Sequence, residues 1–235
     1  MYCIYADEQD CDKEKYSAAI ALIFPASIVS EFRFNLISRM RKIFEKGEAD
    51  ATPFPVLHAS SLPVSLEEPK KIELFSAVIE EASKVCVGIY RVGYHWNDNQ
   101  IAGIFAPTKI ENARICSFTT LQQEMSQATL RPNLIIQEYD ATRHKASDPW
   151  LNRTENLEQL TQLQLLGHDF HNHLSENIGY YYAPKRDYQM YATDFVAYYL
   201  KLLQREQTSD FQRSLIEAAP NIDRLICRNE IVPLR

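Results

Sequence analysis

The sequence predicts an α/β fold in which a mixed sheet is flanked by helices. Three observations carry this expectation. Two early segments, "MYCIYA" and "YSAAIALIFPA", alternate like paired strands. Beyond them, stretches with apolar residues at helical spacing take turns with short runs rich in β-branched and aromatic residues. No internal repeat, low-complexity run or Gly/Ser linker divides the 235 residues, so one domain spanning 1–235 is expected, with a helical C-terminal extension from about 208.

The elements follow in order. Residues 2 to 24 read as a hairpin, its two strands separated by an acidic turn that begins at Asp7 and Glu8 and includes Asp10 and Asp12. From Ser27 to about Lys46 a helical spacing holds, ended by Gly47 and by Pro53 and Pro55. A short "FPVLHASSL" segment leads to a helix from about Glu67 to Lys84. "VCVGIYRVGYH" has the composition of a buried strand, and residues 111 to 128 form a further helix. "RPNLIIQEYD" supplies a strand, and a polar loop runs from Ala141 to about Asn152. "TENLEQLTQLQLL" is a helix capped by Thr154, "NIGYYYAP" a last strand, and "RDYQMYATDFVAYYLKLLQRE" a last strong helix.

Composition narrows the class. Hydrophobic content of 46% with 24% charged residues is that of a soluble globular chain. The N-terminus lacks the basic-then-apolar layout of a signal peptide, and no stretch approaches the roughly 20 apolar residues of a membrane helix. A cytoplasmic protein without a membrane partner is therefore expected. The five cysteines, Cys3, Cys11, Cys86, Cys116 and Cys227, are scattered and form no CxxC pair, which suits reduced thiols rather than a zinc ribbon or disulfide scaffold. With six glycines there is no phosphate-binding loop or dinucleotide fingerprint, and no GxSxG elbow is present. A net charge of -6 restricts any nucleic-acid footprint to local clusters. Those are Arg39, Arg41 and Lys42; Lys70 and Lys71; Arg143, His144 and Lys145; and Lys185 with Arg186. Each serves solubility equally well.

The carboxylates carry the chemistry. Crowded acids repel, so the group beginning at Asp7 is either solvated turn chemistry or a cation site. Glu138 and Asp140 project to one side of their strand, the side that Leu134 and Ile136 share. Asp194 sits in an otherwise apolar helix, where its charge is costly to bury unpaired. Its helical neighbours are Tyr191, Ala197 and Tyr198, with Lys201 two turns on; pairing with Lys201 and solvent exposure both remain open. Asp7, Asp140 and Asp194 can converge on a divalent metal although they are far apart in sequence. Hard oxygen ligands select magnesium or manganese, and such a site suits attack of water on a phosphodiester. Asp140 is preferred over Glu138 as the nearer to its strand end. "GHDFHNH" is a further candidate, with His168, Asp169, His171 and His173 as metal ligands or as a polar loop.

A strand running into Asp7 and Glu8, a His58-Ala59 pair after a helix, an acidic strand end at Glu138 or Asp140, and a late helix with Ala192 to Ala197 around Asp194 together resemble the bacterial domain-of-unknown-function family 3800 (DUF3800). The likeness spans nearly the whole chain. It implies a ribonuclease H-like fold and a metal-dependent nuclease that uses Mg2+ or Mn2+, with Glu8, Glu138 and His58 assisting the ligands. The chain departs from the family where Gln9 and Asp10 replace Ser-Gly, Val56 replaces a glutamate, and Tyr191 replaces a glutamine. Arg143, Lys145, Lys185 and Arg186 lie close to the acids in sequence and are candidate contacts to nucleic-acid phosphates.

The rival expectation is a non-catalytic subunit of the same fold, engaging a protein partner or forming a homo-oligomer, in a phage-defence or mobile-element setting. Tyr180, Tyr181 and Tyr182, with Trp96 and Trp150, would provide its aromatic contact surface.

Overall fold

The computed structural model describes residues 2–47, 50, 52–96, 109–127, 133–139, 178–184 and 187–233. Strands β1 (Tyr2–Cys11) and β2 (Tyr16–Pro25) form an antiparallel hairpin; β2 pairs in turn with antiparallel β3 (Gly88–His95). On the other side of β1 lie β4 (Asn133–Tyr139) and β5 (Ile178–Pro184), both parallel in their pairing. A sixth strand, β6 (Ile226–Pro233), adds parallel to β3. The resulting six-stranded mixed sheet has the order β5-β4-β1-β2-β3-β6.

The helices are α1 (Val29–Ile43), α2 (Glu68–Val85), α3 (Lys109–Gln127), α4 (Tyr188–Leu203) and α5 (Asp210–Ala218). In α1 the buried residues Phe32, Leu36, Met40 and Ile43 recur every three or four positions, giving the helix one apolar stripe. In α4 eleven of the sixteen positions are buried, as expected of a helix covered on several sides. The capping box of α5 is complete: Ser209 Oγ accepts from the Gln212 N–H at 3.2 Å, and Gln212 Oε1 accepts from the Ser209 N–H at 3.1 Å.

The strand period of two divides the core between the two faces of the sheet. On one face Cys3 and Tyr5 of β1 join Leu22 and Phe24 of β2 against α1, α2 and α4. Phe75 of α2 stacks on Phe195 of α4 with centroids 5.5 Å apart. On the other face Ile4 and Ala6 join Ala19, Ala21 and Val92 against Phe118 and Leu121 of α3. Gly93 is required where β3 meets β2: a Cβ there would lie 2.7 Å from that of Ala18 and 2.9 Å from the Ser17 carbonyl oxygen.

Two sequence expectations change. Asp7, Glu8 and Asp10 are not in the hairpin turn, because β1 continues through them; of the four acids named, Asp12 is in it. Asp7 pairs with Ile20, Glu8 with Ala19 and Asp10 with Ser17, and the turn falls at Asp12–Lys15. Five of the ten matched pairs, Asp7 to Cys11, continue the ladder past the point where apolar character ends. The C-terminal extension is also not purely helical, since after α5 the chain returns as β6 along β3. The expected helix from Thr154 and the loop from Ala141 lie outside the described residues. Among the described residues, no helix is long and apolar enough to cross a membrane.

Candidate functional site

Helix α4 is fastened along β1 by two hydrogen bonds that bracket both central acids. Thr193 Oγ1 donates to the Tyr5 carbonyl oxygen at 3.3 Å, and Gln9 Nε2 donates to the Ala197 carbonyl oxygen. Asp7 lies between Tyr5 and Gln9 on the same side of the strand, and Asp194 lies between Thr193 and Ala197. The pairing of β1 with β4 runs from Tyr2 to Ala6, so Asp7 stands one residue past its end, at the carboxyl ends of parallel strands. That is where open α/β sheets leave a crevice.

Asp7 is 9% exposed, and its Oδ1 accepts from the Glu8 N–H at 2.8 Å. Asp194 is half-buried, and its Oδ2 accepts from the Ala59 N–H at 2.9 Å. That bond ties the loop after α1 to the middle of α4. Leu57 and Ala59 are buried on either side of His58, whose own side chain is exposed and whose carbonyl oxygen accepts from the Ser61 N–H at 3.1 Å. His58 thus sits next in sequence to the amide that Asp194 holds. Burial pushes the Tyr5 hydroxyl well above its ordinary range, so the phenol beneath this site stays neutral.

Glu8 points the other way. It forms an ion pair with Arg114 Nε of α3 at 2.9 Å, both side chains being largely buried. The same guanidinium bonds Asp10, whose Oδ1 also accepts from Ser17 Oγ at 2.7 Å. Lys201 Nζ donates to the Asp10 carbonyl oxygen at 3.2 Å. The crowded acids of β1 are therefore divided by the strand period, Asp7 toward α4 and Glu8 with Asp10 toward α3. The expected grouping of Glu8 with Asp7 and Asp194 is not what the strand geometry produces.

Of the other sequence-predicted residues, Glu138 lies in β4, one residue beyond the Gln137 that pairs with Ala6. Asp140, Arg143, Lys145, Lys185 and Arg186 lie outside the described residues, as do His168, Asp169, His171 and His173. Among the described residues, no three His, Cys, Asp or Glu side chains are grouped so that they could hold a metal ion. Val56 is 39% exposed. Arg39, one of the basic candidates, is engaged by Glu80 at 2.5 Å and Glu81 at 3.1 Å.

Sequence reasoning passed over two arginines that organise this end of the sheet. Arg114 is one. Arg91, in the middle of β3, is the other: it is fully buried, and its Nε donates to Gln9 Oε1 at 2.8 Å. Its remaining donors reach Gln204 Oε1 at 2.7 Å, Asn229 Oδ1 at 3.1 Å and the Tyr16 hydroxyl at 3.3 Å. Arg91 thereby holds Gln9 in the position from which it grips α4. The signal was a charged residue inside "GIYRVGY", an otherwise apolar strand. No known family model matches the chain, and no curated protein is significantly similar to it.

Proposed function

We propose that the chain is a metal-dependent phosphodiesterase acting on nucleic acid, with a ribonuclease H-like fold, as its resemblance to family 3800 implies. Supporting the fold is the strand arrangement: β1, β2 and β3 form an antiparallel meander, and β4 and β5 continue the sheet from β1 in parallel. The observation that carries the functional reading is the bracketing of Asp7 and Asp194 by the same two β1–α4 hydrogen bonds. It brings an acid of the first strand and an acid of the last long helix to one interface.

Two carboxylates suit Mg2+ or Mn2+, which prefer oxygen ligands. Asp7 and Asp194 would hold the ion, with a third oxygen ligand from the end of β4, at Asp140 or Glu138. When bound, the metal supplies activation of water and stabilisation of charge on the phosphoryl oxygens. The chain's own part is positional. The Ala59 amide fixes one oxygen of Asp194, the Glu8 amide fixes one oxygen of Asp7, and the exposed His58, next in sequence to Ala59, would exchange a proton with solvent or a leaving group. Lys185, Arg186, Arg143 and Lys145 are the proposed phosphate contacts.

The competing reading is a non-catalytic interaction module. It is favoured by the engagements already described: Glu8 is ion-paired with Arg114, and Asp194 holds a backbone amide, both ordinary structural duties. The deciding experiment incubates the protein with labelled single- and double-stranded DNA and RNA in manganese, magnesium or chelator. Cleavage that needs metal and disappears in both Asp7→Asn and Asp194→Asn is expected. Cleavage surviving in either variant, or none with any substrate, would remove the catalytic reading.

A further inference from the structure

We propose that β6 is a self-association edge, through which two copies of this chain join their sheets antiparallel about a two-fold axis at Asn229. Among the described residues β6 is the last strand on its side of the sheet, with β3 as its sole strand partner. An outer strand of eight residues presents a row of backbone donors and acceptors that another strand can pair with.

The side chains commit the occupant to a second copy. Arg228 and Glu230 flank Asn229 symmetrically and occupy the same side of the strand, where Arg228 also meets Glu124 of α3. Within one chain Arg228 Nη2 reaches Glu230 Oε2 at 3.0 Å, an exposed pair that can exchange partners. In an antiparallel two-fold pairing centred on Asn229, Arg228 of each copy faces Glu230 of the other, twice over. Opposite charges directly across an antiparallel pair are favourable, and like charges there are not. Centring the axis one residue away would set Arg228 against Arg228 or Glu230 against Glu230, so charge selects the register. Val232, on the same side as Arg228 and Glu230, is 39% exposed in the single chain, whereas the register shift between Ile89 and Tyr90 leaves Ile226 on the opposite side, against the core. An isologous contact of this kind closes at two copies.

The charge pattern provides a test in which association itself is the readout. Sedimentation of the native chain at tens of micromolar is expected to show a dimer. Arg228→Glu and Glu230→Arg, each alone, place two like-charged pairs at the joint and should be monomeric. An equimolar mixture of the two variants restores both attractive pairs and should sediment as a heterodimer. Because Arg228 also contacts Glu124, hydrogen exchange of the unaltered chain is the second measurement: amides of 226–233 should gain protection as concentration rises. A native monomer, single variants that remain dimeric, a mixture that fails to associate, or concentration-independent exchange at β6 would each overturn the proposal.

Discussion

Asp194 shows how much of a residue's meaning depends on one hydrogen bond. In sequence it is an acid in an apolar helix; in the structure it receives the Ala59 amide at 2.9 Å and anchors the loop bearing His58. Lys201, its nearest cation along the helix, donates to the Asp10 carbonyl oxygen. Two substitutions separate the roles. Asp194→Asn keeps a carbonyl acceptor for the amide while removing the charge, so stability in chelator should stay within about 1 kcal/mol of native. Asp194→Ala removes the acceptor and should cost about 1.5 to 3 kcal/mol, the usual range for a hydrogen bond to a charged group. Denaturant melts in chelator measure both. A loss in Asp194→Asn as large as in Asp194→Ala would mean that the charge, not the acceptor, is what the fold uses there.

At the scale of elements, the joint between the sheet and α4 depends on a chain of polar contacts running from Arg91 to Gln9 to the Ala197 carbonyl oxygen. Burial holds the Arg91 guanidinium below its ordinary range, yet a buried arginine stays charged at neutral pH. Among the described residues its hydrogen-bond partners are neutral oxygens, from β1, β2, β6 and the turn after α4. One side chain therefore joins three strands and a helix end. Arg91→Met fills similar volume but leaves the buried Gln9 Oε1 and Tyr16 hydroxyl without this donor, each costing about 1 to 3 kcal/mol, while half-buried Asn229 and exposed Gln204 turn to water. A total loss of about 2 kcal/mol or more is expected by denaturant unfolding. Arg91→Lys should restore only part of it, because one ammonium cannot reproduce a planar fork. A loss under about 1 kcal/mol for Arg91→Met would show that the network is incidental.

At the scale of the whole molecule, the described residues cover the sheet unequally. Helices α1, α2 and α4 build a thick layer on the face that receives Asp7, whereas α3 lies on the face that receives Glu8. The proposed metal site would thus lie in that layer, where two long-range contacts, β1 to α4 and the loop at Ala59 to α4, hold the elements that carry the acids. A metal that binds only this assembled state should stabilise the entire domain. At about 100 times its dissociation constant, manganese adds roughly 2.7 kcal/mol. Thermal melts in manganese against chelator at matched ionic strength check this, and the shift should be lost in Asp7→Asn. A shift that persists in Asp7→Asn would move the ion to another site.

Most strands and helices were legible in the sequence because each follows from a local period. The helical stripe of Phe32, Leu36, Met40 and Ile43 needs no distant partner to be recognised. The strand β6 was not legible, since the polar run Arg228, Asn229 and Glu230 interrupts its apolar residues and becomes strand only beside β3. By itself the sequence determined that acids occur on the first strand, near the end of β4 and inside the last long helix. It also carried, in the alternation of Asp7, Glu8, Gln9 and Asp10, the rule that neighbouring acids on a strand face opposite ways. Only the tertiary structure decided that the rule applies there, because whether β1 continues past Ala6 depends on the five pairings of Asp7 to Cys11 with β2. It likewise decided that Asp7 lies on the side of the strand that α4 covers while Glu8 meets Arg114. Which helix covers which face follows from long-range packing of the whole sheet, and a local period contains no information about it.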